Sequence, residues 1–140
     1  MTYRRWRSGE RDRGSSTTEL VLVTPLLILL ALVAVALGKL ASARLDADEA
    51  AHQAARAASL ARSAGQAHTD AVQAARQSLA GAGSSCTSPR IAPDTGGVKP
   101  GGVVRVTVTC RAVLDVPGLN NVNVTASSAS VVDLYRGVEP

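Results

Sequence analysis

From Leu20 to Gly38 the chain reads LVLVTPLLILLALVAVALG, 19 residues with no ionisable side chain and no alternation between apolar and polar positions. As a helix rising about 1.5 Å per residue, the run covers roughly 28 Å, close to the hydrocarbon thickness of a bilayer. It is apolar on every side, so it predicts a membrane-spanning helix rather than the amphipathic helix of a soluble core. The pattern changes at residue 41. Of the 42 residues from 41 to 82, 17 are Ala, none is Pro, and only Thr69 and Val72 are β-branched. That composition favours helix strongly and supplies little apolar bulk. The segment is expected to continue the first helix outward as one rod, with Gly38 and Gly65 as its points of interruption. Val72, Ala75 and Leu79 form a narrow stripe at i, i+3 and i+7, while Leu45 and Leu60 are its other large apolar residues. Small side chains permit close approach, which leaves two arrangements open: packing on another subunit's helix, or lying on the chain's own C-terminal strands.

From Gly81 onward Gly, Ser and Pro end the helix, and a loop is expected through Cys86 and Pro89. The stretch GGVKPGG, residues 96–102, lacks the Gly-Lys-Ser/Thr ending of a phosphate loop and reads as a turn. After it Val104, Val106, Val108, Cys110 and Ala112 alternate with Arg105, Thr107, Thr109 and Arg111, the period of a strand with one buried face. A break at Pro117-Gly118 and Asn120-Asn121 leads to Val122, Val124 and Ala126, a second strand extending towards Val131–Leu134. The predicted fold class is α+β. It comprises a basic leader (1–14), a transmembrane helix region (15–40), an Ala-rich helix (41–82) and a small antiparallel β domain (83–140).

Composition and charge then change how the ends are read. The chain has 140 residues and a formal net charge of +4, with 2% aromatic residues and no Phe. Arg4, Arg5, Arg7, Arg11 and Arg13 stand in the leader against Glu10 and Asp12, so the remainder carries only +1. The basic balance therefore belongs to the leader and does not mark a nucleic-acid-binding surface. Beyond the apolar run Lys39 and Arg44 are followed at once by Asp46, Asp48 and Glu49. Under the positive-inside rule the N-terminus is cytoplasmic and everything after Gly38 extracytoplasmic, which makes the chain a single-pass protein of the cell membrane.

At the threshold of the helix the sequence runs Arg13-Gly14-Ser15-Ser16-Thr17-Thr18-Glu19-Leu20. A lone carboxylate at the membrane edge is costly without a partner. The acid-favouring start of a helix offers a plainer account of the same residue.

A short basic leader ending in Gly, Glu at the fifth position after it and an apolar helix with an early Pro together resemble a bacterial type IV prepilin signal. Gly14 to about Ala57, including the run LVLVTPLLILL and the later AARAAS, resembles the TadE-like family of tight-adherence (Tad/Flp) pilus assembly proteins. The resemblance implies that a prepilin peptidase cuts between Gly14 and Ser15. It implies that Glu19 pairs with the free amine of a neighbouring subunit's Ser15 and sets the register between helices. Pro25 matches the family's early proline, whose missing N–H leaves a carbonyl one turn back unpaired and kinks the helix. The implied partners are the membrane, other pilin-like subunits, the Tad secretion machinery and the prepilin peptidase. A rival export signal lies nearby. Ala41-Ser42-Ala43 fits the A-x-A pattern of signal peptidase, and residues 1–43 could serve only to export a secreted or anchored extracellular binding module.

Cys86 and Cys110 are the two cysteines, both on the exported side, and an even count without metal-ligand spacing reads as a disulfide. Closing a loop of about 25 residues would contribute roughly 3–4 kcal/mol. His52 and His68 are 16 residues apart, on opposite sides of a single helix, and are read as solvated surface residues. No Ser-His-Asp or Cys-His arrangement, carboxylate pair, metal site or nucleotide loop is recognisable, so the expectation is a structural and interaction protein without catalytic residues, cofactor or small-molecule substrate.

Overall fold

The computed structural model describes residues 15–81, 85–96, 98–116 and 118–135. Its elements are α1 (Ser15–Leu60), α2 (Ala64–Gly81), β1 (Cys86–Asp94), β2 (Val103–Val116) and β3 (Leu119–Val131). The α+β class is as expected from the sequence. The chain divides into two units, one ending at Val35 and one beginning at Ala36.

The first unit contains the apolar part of α1. Leu20, Val21, Leu22, Leu26, Leu27, Ile28, Leu29 and Leu30 are all exposed, as their even distribution around the helix requires. The helix runs without a break through Pro25. Pro25 cannot donate to the Val21 carbonyl, and the neighbouring Thr24 hydroxyl donates to the Leu20 carbonyl at 2.7 Å, the kind of side-chain bond that accompanies proline in apolar helices.

In the second unit α1 passes Gly38 uninterrupted, because one glycine costs a helix only about 1 kcal/mol and its neighbours are strong helix formers. The interruption falls at residues 61–63, ahead of Gly65. Its cause is a capping arrangement. Ser63 Oγ accepts from the Gln66 backbone N–H at 3.3 Å, and Gln66 Oε1 accepts from the Arg62 N–H at 3.4 Å. This Ser-x-x-Gln pattern starts α2 and leaves Gly65 inside its first turn.

The sheet is antiparallel with order β1-β2-β3. Val104, Val106 and Val108 of β2 are fully buried, as the alternation predicted, and β3 contributes Val124 and Ala126 to the same face. β2 is longer than expected, while β3 starts earlier than expected and ends at Val131. β2 runs to Val116 and β3 starts at Leu119, with Gly118 between them at φ 89°, so Asn120 and Asn121 belong to β3. The expected loop through Cys86 and Pro89 is instead β1, with Cys86 its first residue. A bulge between Thr87 and Arg90 holds Pro89 out of the ladder and puts Ser88 at φ 50°. It also switches which positions face inward, from Cys86 before it to Ile91 and Pro93 after it.

Ala43, Ala47, Ala50, Ala51, Ala54, Ala55 and Ala58 of α1 join one core with the inner sheet face and with Ala67, Ala71, Ala75 and Leu79 of α2. Of the two arrangements left open for the Ala-rich segment, this is the one with the helix against its own strands. Leu45 and Leu60 turn away from that core and are 69% and 57% exposed.

Candidate functional site

The residues that carried the reading of the N-terminus lie at the start of α1. Gly14 and the rest of the leader fall outside the described residues. Ser15 is the first residue of α1 and Glu19 the fifth, exposed and beyond the first turn. A helix dipole favours acids mainly within that first turn, so the plainer account of Glu19 as a helix-start acid loses force. Glu19 is followed by a helix long and apolar enough to cross a membrane, and none of its most apolar stretch is buried. Such a surface is stable only against lipid or other apolar helices. One carboxylate at the head of an otherwise uncharged run can form an ion pair there, and little other chemistry is open to it.

Where α1 enters the second unit, Asp46 does something not anticipated from the sequence. Its Oδ2 accepts the backbone N–H of Ser85 at 3.2 Å, tying the start of β1 to the helix across 39 residues. In the sequence it stands with Asp48 and Glu49 as part of the charge that follows the apolar run. Only its phase among the buried alanines distinguishes it, one position before Ala47.

Cys86 and Cys110 form the expected disulfide, with Cα atoms 5.3 Å apart. The register explains how they meet: Cys86 pairs with Ala112, two residues from Cys110 along β2 and on the same face. The bond therefore fastens an edge strand to the central one. His52 and His68 lie on different helices, not on one, and both are exposed. The Nδ1 of His52 is 3.4 Å from the Ser128 hydroxyl, while His68 lines a shallow groove on α2 with Val72 and Arg76. Among the described residues no group of three His, Cys, Asp or Glu is placed to hold a metal ion.

The N-terminal segment is TadE-like: residues 14–56 match the family model described as TadE-like protein. The match spans the start of α1, Glu19, Pro25, the apolar run and most of the buried alanine face. The sheet lies outside it. No curated protein and no solved structure matches the chain.

Proposed function

We propose that this TadE-like chain is a single-pass, pilin-like component of the tight-adherence pilus machinery, cut between Gly14 and Ser15 by a prepilin peptidase and held in the membrane by α1. The leader arginines keep the N-terminus cytoplasmic and place the sheet outside. Once cut, the chain presents an ammonium at Ser15, and Glu19 of a neighbouring subunit neutralises it. In a low-dielectric setting the two charges attract strongly, and each is costly to leave alone, so the pair fixes the axial register of adjacent helices. Pro25 kinks the helix just beyond that pair. The protein works by packing and interaction, without catalytic residues or a cofactor.

The observation that carries this reading is Glu19 at the fifth position of α1, exposed, at the head of an unburied apolar helix. The rival cleavage after Ala41-Ser42-Ala43 would cut inside α1 at a fully buried alanine, which favours the anchored reading.

The deciding experiment is N-terminal sequencing of the protein from the membrane fraction of a bacterium with an active prepilin peptidase. Ser15 is the expected first residue. Arg44 would overturn the reading in favour of secretion, and an intact Met1 would remove processing and the ammonium partner of Glu19 with it.

A further inference from the structure

The outer face of the sheet is organised in cross-strand rows. Thr87, Arg111 and Asn123 form one, Arg90, Thr109 and Thr125 the next, and the bulge of β1 lies between them. At that place a recess of about 220 Å³ is lined by Ser88, Arg90, Thr109, Cys110, Arg111 and Asn123. The surrounding contacts fix it. The Thr87 hydroxyl donates to the Arg111 carbonyl at 2.7 Å, and the Thr109 and Thr125 hydroxyls are 3.2 Å apart. Ser88 at φ 50° holds a backbone conformation that non-glycine residues rarely adopt, and such positions cluster at binding sites.

Two guanidinium groups thus stand on adjacent strands, one row apart, on one face. Among the described residues neither has a carboxylate partner. Asp94, an acid on the same strand as Arg90, is two rows from it and accepts from the Gly96 N–H instead. Like charges placed side by side repel, and the arrangement becomes favourable when an anion sits between them.

We infer that this recess is a binding site for an oxyanion, a carboxylate or a phosphate, carried on a small hydroxylated molecule such as an acidic sugar. Arginine forks bind both oxyanions bidentately, and the Ser88 and Thr109 hydroxyls with the Asn123 amide supply neutral partners for adjoining hydroxyl groups. Among the described residues no aromatic side chain lines the recess, which removes the stacking platform a nucleobase needs. The volume is below the roughly 300–1,000 Å³ of pockets for drug-sized ligands, so one small unit enters at a time. The site stands independently of the membrane anchor.

The test is a titration of the ¹⁵N-labelled full chain in detergent micelles, disulfide intact and ionic strength constant, with sodium phosphate, sodium galacturonate or galactose. Expected are saturable shifts of the amides of Thr87, Ser88, Arg90, Thr109, Cys110, Arg111 and Asn123 with at least one of the two anions. Saturation by phosphate alone assigns phosphate-bearing ligands, and by galacturonate alone, uronates. Arg90→Gln and Arg111→Gln are each expected to weaken binding by about tenfold or more, the loss typical of a charge-assisted hydrogen bond. Arg105→Gln, two rows from Arg90, leaves it unchanged, and the unperturbed amide fingerprint of each variant reports that the fold is intact. The inference is overturned by the absence of saturation, by an equal response to galactose, or by Arg90 and Arg111 variants that bind as the Arg105 variant does.

Discussion

Glu19 is the only carboxylate between Asp12 and Asp46, and in the proposed assembly its sole partner comes from another subunit. Removing one member of a desolvated ion pair strands the other and costs about 3–5 kcal/mol. Glu19→Ala should therefore abolish subunit cross-linking in the membrane while leaving the chain inserted. Cross-linking at the parent level would remove the register role. A second residue is constrained from within the chain. Gly101 has φ 75°, its N–H donates to the Val132 carbonyl at 3.0 Å, and an added Cβ would come 2.7 Å from the Leu134 side chain. Gly101→Ala is expected to cost about 1–2 kcal/mol from the backbone alone, read as a lower midpoint in urea denaturation. At this scale the sequence was most legible where chemistry is rare: one acid beside an apolar run, two cysteines in the whole chain. It was least legible where a common residue takes an uncommon position. Only its phase relative to Ala43 and Ala50 distinguishes Asp46 from Asp48, and nothing announces that Ser88 adopts a left-handed backbone.

Among the elements, the alanines of α1 were legible as helix but not as core. Alanine has too little surface to advertise burial, yet its small size lets the helix join the core that holds the valines of β2. Ala54 is fully buried there, and Ala54→Leu should overpack the contact by about 1–3 kcal/mol, seen as a lower thermal midpoint of the folded domain. The same substitution at Ala57, whose side chain is half-buried, should cost less. The end of α1 was misplaced because Gly65 drew attention from the stronger signal beside it. Ser63 followed three residues later by Gln66 starts a helix whether or not a glycine intervenes. Ser63→Ala is expected to destabilise α2 by about 1 kcal/mol, measurable as faster hydrogen exchange in its first turns. β1 escaped notice for a related reason. Pro89 and Pro93 argue against a central strand, but an edge strand with a bulge tolerates both. The alternation of β2 was clear because one face of it is buried from Val104 to Leu114.

For the whole molecule, the family match and the folding units divide the chain differently. The match covers residues 14–56, while the second unit begins at Ala36 and contains the sheet. The TadE-like pattern thus covers the apolar run and most of the buried alanine face of α1, and does not extend to the sheet. The disulfide has a mechanical consequence if, as proposed, the protein is held at one end in a membrane. When the second unit is pulled between its ends, tension passes directly from Cys86 to Cys110, and the intervening residues carry no load. Single-molecule unfolding of the oxidised chain should release a contour length about 80 Å shorter than that of the reduced chain, corresponding to the 24-residue separation. Equal lengths would mean that the bond is not formed in the folded protein. In the oxidised state the bulge and Arg90 stay within a closed covalent ring while Arg111 lies one residue outside it, so drawing out the rest of the unit would part the two guanidinium groups and release an anion held between them.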